Sequence, residues 1–155
     1  MSKTRHPIMT ASICLLLIAC GADGAEPVDV DPLEKHNVTW TTPSEDYNGS
    51  MPIGNGETGL NLWVEPNGDL VFLMSRTDSW DEHLRLCKLG RVRIKFAPGL
   101  AGVEFKQDLK LRQGEIEITG GAGDKTITAR VWVDANRQVI HVDACRSSDK
   151  VHYRV

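Results

Sequence analysis

The chain has 155 residues, a formal net charge of −3 and 41% hydrophobic residues. That composition belongs to a globular protein and excludes a disordered one. The acidic balance, with no basic stripe interleaved with aromatics, excludes nucleic acid as a partner.

The first 25 residues read as an export signal. Lys3, Arg5 and His6 form a basic start, and Ile8 to Ala19 is an apolar run. That run is shorter than the roughly 20 residues a membrane-spanning helix needs. Small residues follow at Ala19, Gly21, Ala22, Gly24 and Ala25, completing the basic, apolar, small order of a signal peptide. Two processing routes are open. Leu17-Ile18-Ala19-Cys20 has the form of a lipobox, in which Cys20 is acylated and anchors the protein to a membrane. Cleavage near Ala22 to Ala25 would release a soluble protein instead. Either route places the protein in the periplasm, at the cell surface or outside the cell.

Residues 26–35, with Pro27, Pro32 and several acids, read as a linker, and residues 36–155 as one domain. Strands are expected at His36 to Thr41, Leu60 to Val64, Asp69 to Ser75, Arg91 to Ala97, Glu115 to Thr119, Thr126 to Val133, Val139 to Ala144 and Val151 to Val155. Arg91 to Ala97 alternates most regularly, as a strand with one buried and one wet face requires. Asp69 to Ser75 is apolar on both faces, which predicts a central strand covered on both sides. Glu65-Pro66-Asn67-Gly68 is a hairpin turn, because Asn and Gly both tolerate positive φ. Other turn chemistries recur at Pro98-Gly99, Gly120 to Asp124 and Asp134 to Arg137. Short alternating strands at this spacing predict an all-β antiparallel sandwich. Asp81 to Leu89 is the one stretch with room for a turn of helix. The chain stops inside the strand-like run Val151 to Val155, so the sandwich reads as incomplete at its C-terminus.

Chemistry is sparse. No nucleophile elbow, zinc motif or phosphate loop is complete. The four histidines after the signal are scattered, and no metal or cofactor is expected. Cys87 and Cys145 lack metal-ligand spacing; they are either two thiols or, in an exported protein, a disulfide. Two segments stand out. Gly54-Asn55-Gly56-Glu57-Thr58-Gly59 has the G-x-G-x-x-G form, but a strand follows it instead of a helix, so it reads as a tight loop with bare backbone. Thr77-Asp78-Ser79-Trp80-Asp81-Glu82 sets one tryptophan among polar groups. An aromatic face beside carboxylates suits a sugar; alternatively Trp80 plugs the end of the sandwich.

Met51-Pro52-Ile53-Gly54-Asn55-Gly56-Glu57-Thr58-Gly59-Leu60, a hairpin, then Ser75-Arg76-Thr77-Asp78-Ser79-Trp80-Asp81 resembles the N-terminal domain of α-L-fucosidase-type glycoside hydrolases of family 95. It is still more similar to a bacterial family of uncharacterised domains at the front of exported glycoside hydrolase-like proteins. Lys88 to Arg93 and Val131 to Arg137 share that likeness, which covers about residues 36–155. The resemblance implies a large sandwich of the supersandwich type, packed on an (α/α)₆ barrel that carries the catalytic residues. None of those has a counterpart here, and Arg76 stands where the fucosidase pattern has Asn. The implied role is therefore non-catalytic support of a C-terminal catalytic domain in cis, in an enzyme that acts on carbohydrate. Gly54, Asn55, Gly56, Asp78, Trp80 and Asp81 are the candidates for a substrate rim or domain interface. Adjacent acids such as Asp81-Glu82 or Glu45-Asp46 cannot bracket a glycosidic bond, since strand neighbours face opposite ways. The alternatives are an autonomous carbohydrate-binding module, with Trp40, Trp63, Trp80 and Trp132 as platform candidates, and a surface lipoprotein domain for adhesion or assembly.

Overall fold

A computed structural model describes residues 31–146 and 149–154, the latter by backbone alone. The export signal, Cys20, the first half of the linker and Val155 lie outside the described residues.

Ten strands form, and no α-helix occurs among the described residues. They are β1 (Val38–Trp40), β2 (Met51–Gly54), β3 (Thr58–Val64), β4 (Leu70–Trp80), β5 (Leu86–Ile94), β6 (Lys106–Lys110), β7 (Glu115–Gly120), β8 (Ile127–Val133), β9 (Ile140–Arg146) and β10 (Asp149–Arg154). They pair antiparallel into a six-stranded sheet ordered β1-β6-β7-β8-β9-β10 and a four-stranded sheet ordered β2-β3-β4-β5. The alternating patterns produce the all-β sandwich they predict. Leu60, Leu62, Val64, Leu70 and Phe72 from the smaller sheet meet Ile116, Ile118, Ala129, Val131 and Val142 from the larger one. Each such side chain contributes roughly 1.5–3 kcal/mol on burial.

The doubly covered strand is found at β4. Phe72 is buried on the inner face and Val71 on the outer. Val71 lies opposite Trp63, which is fully buried. Arg91 stacks over the Trp63 ring at 5.7 Å. A short 3-10 turn at Tyr47–Gly49 packs against β3, and Ser44 N–H donates to the Val64 carbonyl at 2.9 Å.

Three departures from the sequence reading have physical causes. The first is at Asp81 to Leu89, which holds no helix. Asp81 Oδ1 accepts from the backbone N–H groups of His83 at 2.9 Å and Arg85 at 2.8 Å, and Oδ2 accepts from Arg85 Nε at 2.7 Å. Such a carboxylate competes with helical hydrogen bonding and closes a turn instead, with Leu84 held at φ 60°. Asp81 and Glu82 thus sit in a turn and not on a strand. The second is that β5 begins at Leu86 and ends at Ile94, five residues ahead of the expected start. The third is that β2 and β6 have no sequence counterpart: β2 is four residues long and includes Pro52, and β6 turns Gln107, a polar side chain, toward the core. The Glu65–Gly68 turn forms as expected, but Gly68 alone takes positive φ, +86°.

Leu100 seals one end of the sandwich. It is fully buried, and its N–H donates to the Gly68 carbonyl at 2.9 Å. Its own carbonyl oxygen lies against Gly120 at the end of β7, a place with no room for a Cβ. Residues 31–36 are fastened to the domain by Asp31, which accepts from Arg112 Nη2 at 2.6 Å. Cys87 is exposed, Cys145 is half-buried, and neither is bridged.

Candidate functional site

The two segments singled out in the sequence meet at the other end of the sandwich. Gly54 to Gly59 is the β2–β3 hairpin, with Gly54 paired to Gly59. Asn55 closes it: Oδ1 accepts from Glu57 N–H at 3.0 Å and Thr58 N–H at 2.8 Å. Its Nδ2 donates to the carbonyls of Asp134 at 2.8 Å and Arg137 at 3.2 Å, in the loop joining β8 and β9. One side chain therefore shapes the loop and fastens the two sheets together. Gly56 takes φ +91° and faces open space.

Glu57 then reaches Arg76 on β4. Arg76 Nη2 donates to Glu57 Oε1 at 2.6 Å and to Asp78 Oδ2 at 3.1 Å. Gln138 Nε2 donates to the same Glu57 oxygen at 2.7 Å from the opposite sheet. In the backbone, Thr77 N–H donates to the Glu57 carbonyl at 3.0 Å. The result is an open cleft of about 170 Å³, lined by the glycine loop, Glu57, Arg76 and Leu86. Arg76 Nε is buried with no partner among the described residues. The exposed lining of the cleft is mostly apolar, and it carries the Glu57–Arg76 ion pair, whose charges compensate each other.

Trp80 stands beside the cleft on the β4–β5 arm. It is 56% exposed, and its Nε1 donates to the Thr77 carbonyl at 2.6 Å. It therefore does not plug the sandwich. Leu84 and Leu86 are exposed on the same arm. The other tryptophans are not free platforms: Trp63 is fully buried, Trp40 packs on the core, and Trp132 stacks on His141 at 4.8 Å between ring centres.

Behind the cleft, Asp134 anchors the β8–β9 loop. Hydrogen bonding from Arg137, then from the Asn136 N–H and His141, holds its carboxyl far below the usual carboxylate range. Three other aspartates are also held low: Asp31 by Arg112, Asp81 by the Arg85 N–H, and Asp108, where Lys106 and Thr39 outweigh the effect of burial. Each is an anion in a structural bond, the opposite of a general acid, which needs a raised pKa. No group of three or more metal-ligating side chains occurs among the described residues, and no described helix is long and apolar enough to cross a membrane.

Of the sequence candidates, Gly54, Asn55, Gly56, Asp78 and Trp80 converge on this end, whereas Asp81 is spent on its own turn. Glu57 and Arg76, which lie within the two segments, and Gln138, Asp134 and Arg137, which lie outside them, complete the network. Gln138 is 81 residues from Glu57, a separation across which no local sequence pattern reads.

Fold and site define the class: a two-sheet antiparallel sandwich with an open cleft at the end that carries the β2–β3 hairpin. The chain belongs to the DUF5703_N family, described as a domain of unknown function (DUF5703), whose model matches residues 39–155. No curated protein matches it.

Proposed function

We propose that this chain is the non-catalytic N-terminal β-sandwich of an exported, multidomain glycoside hydrolase acting on polysaccharide or oligosaccharide. It supports an (α/α)₆ barrel in cis, which supplies the catalytic acids, and lends the Gly54–Gly59 loop and the Trp80 arm to the rim of the active site. One observation carries this reading. The two segments on which the resemblance to family 95 rests pack into a single site, joined by the Glu57–Arg76 ion pair and the Thr77–Glu57 backbone bond. The chain's own carboxylates support a scaffold over an enzyme. Glu57 and Asp78 are the acids nearest the cleft, and both are tied to the same arginine nitrogen. Glycoside hydrolysis instead needs two carboxyl groups facing one bond, one of them protonated. The N-terminal basic, apolar and small residues support export, either with a lipid anchor at Cys20 or with cleavage near Ala22 to Ala25 that releases a soluble protein.

The test is turnover by the purified chain on aryl-glycosides and oligosaccharides. The expected result is none, with an (α/α)₆ coding sequence in frame downstream of codon 155. Hydrolysis at enzyme-like rates would sink the scaffold role. A second reading, an autonomous carbohydrate-binding module, is favoured by the exposure of Trp80 beside Asp78. Glycan-array binding that Trp80→Ala abolishes would select it.

A further inference from the structure

The edges of the two sheets are unequally protected. β1, at one edge of the six-stranded sheet, is three residues long, and β10, at its other edge, is six. β2, at one edge of the four-stranded sheet, has four residues, and Pro52 among them cannot donate a hydrogen bond. β5, at the other edge, runs for nine residues without proline. It pairs with β4 along one side, with register shifts between Met74 and Ser75 and between Ser75 and Trp80. No backbone hydrogen bond from its other side occurs among the described residues. Leu86 to Leu89 are exposed throughout, with Leu86 at 48% and Leu89 at 54%. The lysines, arginines and register shifts of β5 blunt this edge against pairing with itself, while its unpaired main-chain groups can still meet a strand of opposite charge.

Its charge is one-sided. Arg85, Lys88, Arg91, Arg93 and Lys95 fall within one short stretch that contains no Asp or Glu. Arg85 is paired to Asp81, and Arg93 to Glu65 and Asp69. Lys88, Arg91 and Lys95 form no ion pair among the described residues, and Arg91 lies over the Trp63 ring at 5.7 Å.

We propose that the open edge of β5 accepts an extended, acidic polypeptide segment of a partner as a fifth strand of the smaller sheet. Main-chain pairing would supply the affinity, and carboxylates on the incoming strand would meet Lys88, Arg91 and Lys95 and fix its register. A second copy of this chain is the wrong occupant. Antiparallel β5–β5 pairing would set lysines and arginines against one another, and like charges across a ladder repel. The inference holds whether or not a catalytic barrel follows.

The test uses the purified chain and two capped nine-residue peptides, one alternating Glu with Val and one alternating Lys with Val. The acidic peptide should slow hydrogen exchange of the Leu86–Ile94 amides roughly tenfold and leave β2 unchanged. Raising salt from about 0.05 to about 0.5 M should weaken its binding about tenfold, as screening of exposed charges requires. Lys88→Glu combined with Lys95→Glu changes two exposed side chains outside the core. It should abolish binding of the acidic peptide and admit the basic one. Three results would overturn the proposal. One is equal binding of the two peptides, and another is no protection by the acidic peptide at low salt. The third is protection of β5 without peptide in a concentration-dependent dimer, which would assign the edge to a second copy.

Discussion

The side-chain nitrogen of Asn55 lies 2.8 Å from the main-chain carbonyl oxygen of Asp134, although 79 residues separate them. The same amide accepts two hydrogen bonds within its own hairpin. Asn55→Ala should therefore cost about 2 kcal/mol in urea unfolding, from the two part-buried bonds, to the Asp134 carbonyl and from the Thr58 N–H, at about 1 kcal/mol net each. Asn55→Asp keeps the acceptors but loses both donors, and should fall between that variant and the parent.

Two glycines should respond in opposite ways to a methyl group. At Gly120 a Cβ would overlap the Leu100 carbonyl oxygen, so one layer must move. Gly120→Ala should cost at least about 3 kcal/mol, seen as lost soluble yield or an early thermal transition. At Gly56 the space is open, and only the positive φ is penalised. Gly56→Ala should cost about 1 kcal/mol. Equal losses at the two sites would contradict the close approach at Gly120.

Tryptophan truncations separate core from surface. Trp63→Ala removes a fully buried ring and should cost about 3–5 kcal/mol. Trp80→Ala removes a ring that is 56% exposed and should change stability by no more than about 0.5 kcal/mol. Its effect should be confined to ligand or partner binding, measured on the same preparation.

Acid should loosen the β8–β9 loop. Asp134 has its pKa lowered from the usual 3.8 by the Arg137 hydrogen bond first and the Asn136 N–H second. A carboxyl held low in the folded state binds fewer protons than in the unfolded chain. Its contribution is complete above pH 3.8 and is lost as pH falls below that value toward the folded-state pKa. Stability should decline in that window, and Asp134→Asn should show a flatter acid limb. An unchanged acid limb in that variant would show that other carboxylates carry the dependence.

Much of the sandwich was legible because its core strands alternate. Ile116 and Ile118 on β7, and Ile127, Ala129, Val131 and Val133 on β8, announce their inner faces directly. β6 stayed hidden because Gln107 occupies a core position, and alternation read by hydropathy breaks there. The hydropathy pattern ends at Ser75 because the continuation of β4, Ser75 to Ser79, is polar, yet the backbone pairs on to Trp80 across two register shifts. Half of the site was visible as two local motifs. The remainder, Gln138 and the Asp134–Arg137 loop, joins through tertiary contacts made by the pairing of distant strands.

Leu100 and Asn55 hold opposite ends of the same pair of sheets. Leu100 bonds to the β3–β4 turn and presses on Gly120, while Asn55 bonds to the β8–β9 loop. A layered body pinned at both ends resists being prised apart from either. Cutting one pin turns the other into a hinge, so damage at the Asn55 end would let the layers gape at the cleft while Leu100 keeps them joined behind it.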